Sequence, residues 1–378
     1  VVTRVPFVDL AVQEASVASD VLAAIGQVAS EARFVLGARV EAFEQWMSQA
    51  CEVTHAVGVA SGSDALELGL RALGIGPEDA VITPAFSFVA AAEAIASAGA
   101  RPVFCDVDPE TMNVNERTVQ DALDRARRAG MRVRAILPVH LFGRCAPVGG
   151  LRALAAREGL AVLEDAAQAM GSRDESGRAG GSGGDAACFS FFPTKNLGAW
   201  GDGGAFVTDR PDLAQRVRRL RAHGAVEPYV HAELGRNSRL DAVQAAVLLA
   251  KSKHLPEWQR ARERIAQRYL SAFARLPMTL PAVPALPGLH AWHAFVVRSD
   301  RRDALASTLR EGGVEARVYY PVPLHRQPCF ESLQEPSLPT AEEICRTALA
   351  LPVFPVMRDD QQELVIDRVR RFFRAGVD

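Results

Sequence analysis

Seven short apolar runs, separated by segments of helical period, constrain this chain more than any other feature. They are THAVGVA (54–60), AVITPA (80–85), RPVFCDV (101–107), VRAILPVH (133–140), LAVLEDA (160–166), ACFSFF (187–192) and GAFVTD (204–209). Their length and apolar character suit strands covered on both faces by helices. Between them, SDALELGLRALGI, AAAEAIASAG, ERTVQDALDRARRAG and GGLRALAAREG read as helices, with Gly endings that suit C-terminal caps. Alternation of this kind predicts a mostly parallel α/β sheet. After residue 209 the strand rhythm stops. PDLAQRVRRLRAHG reads as a helix, AVEPYVHAELGRNS as a loop, and RLDAVQAAVLLAKSKHL and EWQRARERIAQRYLSAFARL as two long helices. From about Pro277 the order is strand HAFVVRS, helix RRDALASTLREGG, strand VEARVYYP, a Pro-rich loop and two helices. The expectation is a large α/β domain over residues 1–250 and a smaller α+β domain over residues 251–378.

With 378 residues, 48% of them hydrophobic, the chain can build a sizeable core. A net charge of −2 without a basic block or stripe gives no sign of a nucleic-acid partner. No apolar run reaches membrane-spanning length, and VVTRVPFVDL lacks a signal-peptide pattern, so a cytoplasmic protein without a membrane partner is expected. The six Cys are scattered without a CxxC pair and read as reduced thiols, with Cys105 and Cys188 as small core residues. No cluster has structural-zinc spacing, so no metal is expected.

Of 43 Lys and Arg residues only three are Lys: Lys195, Lys251 and Lys253. Lys251 and Lys253, in AKSKHL, read as a solvated helix end. Lys195 stands alone between an apolar run and a glycine-rich turn. Arg cannot replace a Lys that must lose its proton and attack a carbonyl. Lys195 is therefore a candidate imine-forming nucleophile, with a plain helix-end cation as the alternative. Thirty residues earlier, Asp165 ends an apolar strand, at the sheet edge where ligands bind in open α/β folds. Such an Asp either caps a helix or meets a ligand. An imine-forming Lys and a strand-end Asp are the two parts that pyridoxal phosphate chemistry needs, the Asp keeping the ring nitrogen protonated.

That cofactor also carries a phosphate. Ser61-Gly62-Ser63-Asp64 lies between a strand and a helix, where free N–H groups bind phosphate or where Ser and Asp simply cap. The charge of Asp64 opposes phosphate, so its side chain is expected to turn away and offer only its N–H. Ser190 can add a hydroxyl or bond its own backbone. Phe86 and Phe88 share a face if the segment is extended, poised to stack on a ring or to fill the core. His140, His223, Tyr229 and His231 are further candidates for the border of the site.

These residues, together with FVLGARVEAFEQ (34–45), SGSDALELGL (61–70), PVFCDVDPETMNV (102–114), PVHLFG (138–143), EDAAQAMG (164–171), SFFPTKNLGAWGDGG (190–204), GRNSRLDAVQAA (235–246), WHAFVVR (292–298) and VYYPVPLHRQP (318–328), resemble the DegT/DnrJ/EryC1/StrS family of pyridoxal-phosphate sugar aminotransferases. The resemblance implies the aspartate aminotransferase-like fold, fold type I, with a seven-stranded sheet. By position it implies that Lys195 carries pyridoxal 5'-phosphate, Asp165 pairs with the ring nitrogen and Gln168 meets the phenolic oxygen. It places Gly62, Ser63, Asp64 and Ser190 around the phosphate, Phe88 on the ring, and Asn237 as a contribution from the neighbouring subunit of a homodimer with shared active sites. L-Glutamate (or glutamine) is the implied donor and a nucleotide-linked keto sugar the acceptor. Lys195 argues against relatives that carry His there and dehydrate sugars. VYYPVPLHRQP is most similar to enzymes that aminate carbon 3, although Tyr319 stands where those often have His. Arg239, Tyr319, Tyr320 and His325 are the candidate substrate residues. Arg326 is a further candidate in the same loop, which otherwise reads as a rigid surface turn. A cyclitol aminotransferase, a sugar dehydratase on the same fold, and a non-catalytic regulatory protein are the competing readings.

Overall fold

A computed structural model of the protein describes residues 4–374. All seven apolar runs form strands: β1 His55–Val59, β2 Asp79–Pro84, β3 Arg101–Cys105, β4 Arg132–Ile136, β5 Ala161–Asp165, β6 Ala186–Ser190 and β7 Gly204–Thr208. They build one sheet in the order β1-β7-β6-β5-β4-β2-β3. The pairs β6–β5, β5–β4, β4–β2 and β2–β3 are parallel. Only β7 runs against its neighbours, β1 and β6. The reason lies in the connections. Parallel pairs need a crossover, whereas β6 returns into β7 through residues 191–203 alone. The carboxyl ends of β1, β2, β4, β5 and β6 therefore share one sheet edge with the amino end of β7, and residues 191–203 sit on that edge.

Burial explains why most strand positions are apolar, with Arg132 and Arg134 at the exposed start of β4 as exceptions. Every residue of β2 and of β7 is buried. Helices Gly62–Ala72, Ala90–Ser97, Glu116–Arg128 and Val148–Glu158 cover the sheet, with apolar stripes in one core that includes Leu66, Leu70, Ile95, Leu123 and Leu151. Helix starts follow capping chemistry. Asn115 and Thr118 form a reciprocal capping box, and Ser61 Oγ accepts the Asp64 N–H at 3.1 Å. Each such cap contributes about 1 kcal/mol.

The segment read as a loop contains a short hairpin, β8 Ala225–Glu227 and β9 Val230–His231, too brief to register as alternation. The C-terminal part holds β10 Phe295–Arg298, helix Arg302–Glu311, β11 Ala348–Leu351 and helix Asp359–Arg374. The expected strand VEARVYYP is corrected here. It makes only isolated bridges, Val314 to Val5 and Arg317 to Ala350, and β10 pairs instead with β11. Its alternating, β-branched sequence looks more strand-like than ALAL, but its chain turns away to carry Tyr319 and Tyr320 into the cleft described below. The Ala348–Leu351 strand follows directly on helix Pro339–Thr347 and reads as its continuation.

The long helix Leu255–Phe273 spans two cores. Leu255 packs with Phe43, Phe191 and Leu248, whereas Tyr269 and Phe273 pack with Phe295, Leu305, Leu349 and Val365. Val5, from the amino end, joins the second core. The division we propose near residue 250 falls just ahead of this helix.

Lys251 also departs from expectation. It is not a solvated helix-end cation: its side chain is 1% exposed, and Nζ pairs with Glu14 Oε1 at 2.5 Å. Burial pulls its pKa down, and the Glu14 carboxylate opposes that pull. Glu14 Oε2 accepts the Trp200 indole N–H at 2.6 Å. Removing one partner of a buried pair leaves the other charge uncompensated. Glu14→Ala is expected to cost about 3 kcal/mol and Lys251→Met much less, the pair being compared by thermal unfolding. Equal losses from the two would show that the buried amine needs no counter-charge.

Candidate active site

A cleft of about 320 Å³ opens at the shared sheet edge. Ser61, Gly62 and Ser63 reach it from the end of β1, Ser87 and Phe88 from β2, and Val139 from β4. Asp165 and Gln168 follow β5, Ser190 to Lys195 follow β6, and Asp202 and Gly203 precede β7. His293, Tyr319 and Tyr320 close it from the C-terminal part.

Helix Gly62–Ala72 begins at this cleft. The Asp64 N–H is taken by Ser61 Oγ and the Ala65 N–H by Ser61 O. The Gly62 and Ser63 N–H groups have no acceptor among the described residues. They and the helix dipole make an anion site. Ser190 adds a hydroxyl whose one hydrogen bond among the described residues is long, accepting from the Phe192 N–H at 3.4 Å. Gly62 is needed for closeness: a Cβ there would lie 2.6 Å from Ser190 Cβ and 3.1 Å from Ser190 Cα.

Asp165 Oδ1 accepts the Ala167 N–H at 2.9 Å, and Oδ2 has no partner among the described residues. Burial raises the Asp165 pKa, while the Ala167 N–H and the positive charge of Lys195 lower it. The same burial pulls Lys195 down to about 8 from the ordinary 10.5, with Asp165 opposing. The amine is thus poised to exchange a proton near neutral pH. Lys195 Nζ makes no hydrogen bond or ion pair among the described residues, so it is free to react.

Gln168 is held at both ends. Its Oε1 accepts the Phe142 N–H at 2.7 Å and its Nε2 donates to Tyr320 Oη at 3.1 Å. One Nε2 hydrogen remains to face the cleft. Phe88 and Phe86 part company: Phe88 is half exposed in the cleft, and Phe86 is buried against Phe142 and Tyr320.

Five candidates lie outside the cleft lining. Asp64 turns away, as expected, its oxygens accepting from Ser238 Oγ at 2.8 Å and pairing with Arg236 at 3.1 Å. Its N–H, however, is committed to Ser61 and is not on offer. Asn237 is exposed, and Arg239 is half-buried with no carboxylate partner among the described residues. His325 is buried against Phe104 and bonds Glu342 at 2.9 Å, and Arg326 pairs with the same carboxylate. Of the border candidates, His140 lies beneath the cleft: its Nδ1 accepts the Ala146 N–H, so Nε2 donates to Glu164 at 2.7 Å. His223, Tyr229 and His231 belong to the exposed hairpin region.

Sequence reading missed Ser87, Thr194, Asp202 and His293. Ser87 is the sharpest omission, being buried with an unpartnered hydroxyl. A lone Ser or His next to an apolar run carries no spacing signal. A second depression, of about 440 Å³, lies beside helix Val148–Glu158. Its Arg144, Arg173 and Arg178 already have carboxylate partners.

Fold and cleft together are those of an aminotransferase, with a buried lysine amine and a strand-end carboxylate at the carboxyl edge of a mostly parallel sheet. The chain belongs to the DegT/DnrJ/EryC1/StrS aminotransferase family, matched over residues 16–370. It is 44% identical to dTDP-3-amino-3,4,6-trideoxy-alpha-D-glucose transaminase of Streptomyces venezuelae, covering 98% of this chain and 96% of that one. It is 41% identical to a pleiotropic regulatory protein of Geobacillus stearothermophilus, covering 98% and 99%. Among solved structures it matches S. venezuelae DesV with a TM-score of 0.92 and 44% identity, over 98% of each chain. It also matches NtdA of Bacillus subtilis with bound cofactor PMP, with a TM-score of 0.86 and 30% identity over 95% and 82%.

Two outcomes follow from the geometry. Labelling of the free Lys195 amine should show a midpoint near pH 8; a midpoint near the ordinary 10.5 would remove desolvation as the cause. Gly62→Ala, whose new methyl must push Ser190 aside, should weaken cofactor binding by about tenfold or more in a fluorescence titration, roughly the loss of one charge-assisted hydrogen bond.

Proposed function

We propose that the protein is a pyridoxal-phosphate-dependent aminotransferase that moves an amino group from L-glutamate to carbon 3 of a nucleotide-diphosphate-linked keto sugar. The observation that carries this reading is the unpartnered Lys195 amine, set in one cleft with the free oxygen of Asp165 and the Gly62–Ser63–Ser190 cradle. The donor set fits the cofactor. The Gly62 and Ser63 N–H groups and Ser190 Oγ would hold its phosphate. Asp165 Oδ2 would hold the proton on the ring nitrogen, the spare hydrogen of Gln168 Nε2 would meet the phenolic oxygen, and the Phe88 ring would cover a face. When bound, the cofactor supplies the electron sink for the charge left on the substrate carbon. Lys195 Nζ takes the α-proton of the donor and returns a proton during amination of the sugar, a task suited to an amine with a pKa near 8.

Tyr319 and Tyr320 stack at 5.2 Å and give the sugar a flat wall with two phenols. Carbon 3 is favoured by the VYYPVPLHRQP segment and by the 3-amino product in the name of the S. venezuelae relative. The cleft also answers the regulatory reading raised by the Geobacillus protein. A protein that only binds a partner has no use for a desolvated amine beside an unpaired carboxylate.

A homodimer completes the site on this reading. Asn237 is exposed, and Tyr229 and Leu234 are 97% and 88% exposed, an apolar surface that a second copy would cover. Six free cysteines suit a reducing cytoplasm.

Lys195→Ala is expected to lose turnover entirely, along with the coloured adduct that borohydride fixes to the wild-type protein. Mixing Lys195→Ala with Asn237→Ala subunits should recover part of the activity, because one site per mixed dimer is intact; no recovery would refute shared sites. A screen of dTDP- and UDP-linked 3-keto and 4-keto sugars with glutamate, read by product mass, should give product from 3-keto acceptors. Product from 4-keto acceptors alone would refute the carbon assignment.

A further inference from the structure

The cleft lining is short of positive charge for the acceptor proposed above. It holds two carboxylates, Asp165 and Asp202, and Lys195 as its one cation. Burial above all, with the Lys195 and Arg262 charges, holds the His293 imidazole well below its ordinary pKa, so it is neutral. Lys195 is committed to the cofactor on that reading. A diphosphate brings negative charge of its own and must find a cation beyond the lining. The Tyr319 wall leads to one. Val314, Ala316 and Val318 turn into the core with Phe295 and Leu349, so Arg317 and Tyr319 share the opposite face of the segment. The Arg317 backbone is fixed to β11: its N–H donates to Ala350 O at 3.0 Å, and its O accepts the Ala350 N–H at 2.8 Å. Its guanidinium lies over the buried Phe7 ring, 4.8 Å from the centroid, and Nη1 lies 3.5 Å from Tyr319 Oη. Phe7 in turn meets Tyr319 edge to face at 5.5 Å. Arg317 has no carboxylate partner among the described residues. Glu315, two residues earlier, instead accepts the Phe7 N–H at 3.3 Å. A guanidinium positioned by an aromatic ring keeps its charge and its donors for another partner.

We propose that Arg317 is a specificity-determining residue for the acceptor, its guanidinium binding the diphosphate of the nucleotide-linked sugar at the mouth of the cleft with the Tyr319 phenol as a second donor. This rests on the nucleotide-sugar reading above and names the group that meets the diphosphate. The layout suits such an acceptor. Its keto carbon must reach the part of the cleft where Asp165 and Lys195 stand. Its anionic part is better placed outside, away from the Asp165 and Asp202 carboxylates. Arg317 is exposed, beside a residue that lines the cleft. Its fork of donors matches paired phosphate oxygens, which a single ammonium does not. Tyr320 Oη already accepts from Gln168, so Tyr319 Oη is the less committed of the two phenols. The Phe7 stack holds the guanidinium in place beforehand, so that less side-chain freedom is lost on binding.

The test reads binding without turnover. The full chain, loaded with cofactor, is titrated calorimetrically with dTDP, UDP and thymidine. Arg317→Ala should weaken dTDP and UDP binding by about tenfold or more, the scale of one hydrogen bond to a charged group, and leave thymidine affinity where it is. Arg317→Lys keeps the charge without the fork and should recover part of the loss. Added salt should weaken diphosphate binding more in the wild type than in Arg317→Ala, because the contact is exposed. Equal diphosphate affinity in Arg317→Ala and the wild type overturns the proposal. So does an equal loss for thymidine, which would make Arg317 a support for the Tyr319 wall. Wild-type protein that binds neither diphosphate would refute the nucleotide-sugar reading and this proposal with it. Diphosphate binding that survives Arg317→Ala refutes the proposal alone, so the two failures are told apart.

Discussion

The contact on which the cleft depends is the approach of Gly62 to Ser190. The first turn of helix Gly62–Ala72 lies so near the end of β6 that a single methyl would have no room. That closeness gathers two unpaired backbone N–H groups and a hydroxyl at one point. It also fixes where residues 191–203 leave the strand, and so where Lys195 starts. The turn at Gly62 and the Lys195 amine are far apart in sequence. They become neighbours because β1 and β6 run in the same direction on either side of β7, with their carboxyl ends at one edge.

Beneath that edge, a fully buried polar relay sets the direction of Asp165. Glu164 Oε1 accepts the Gly183 and Gly184 N–H groups at 2.9 and 2.6 Å, and Oε2 accepts from His140. His140 in turn binds the Ala146 N–H, and its own backbone N–H donates to Asp165 O at 2.9 Å. Every buried acceptor of the Glu164 carboxylate is used, so the pair costs little despite its burial. Successive strand residues point to opposite faces. With Glu164 tied to one side, Asp165 is turned to the other, toward the cleft. The loop after β6 is tied in a similar way: Gln244 accepts from the Trp200 N–H at 2.9 Å and donates to Trp200 O at 3.1 Å, downstream of Lys195.

The sheet was legible in the sequence because buried strands leave a dense signal: seven mainly apolar runs became seven strands. Lys195 was legible through scarcity, and Asp165 through its place at the end of an apolar run. What stayed hidden depends on contacts between distant segments. Lys251 looks solvated beside Lys253 until Glu14, from the other end of the chain, is brought against it. His293 reaches the cleft from the C-terminal part, its ring against Asn196, 97 residues earlier. Ala348–Leu351 is a strand because Phe295–Arg298 needs a partner, and its own four residues state no preference. The gross family resemblance, by contrast, needed no geometry, since its motifs are contiguous.

Asp64 shows how a liability for anion binding is put to use. Its charge sits in the first turn of the helix that would hold a phosphate, where it would repel the ligand. Arg236 and Ser238 take up both of its oxygens, and Arg236 also pairs with Glu67 one turn on. The charge is neutralised, and the segment on either side of Asn237 is fastened to the helix. Asn237 itself is left outside, exposed between two anchored neighbours. An exposed side chain between two anchored neighbours has a fixed starting point on the surface. In the proposed dimer, the anchoring of Asp64 would hold Asn237 where a second copy could meet it.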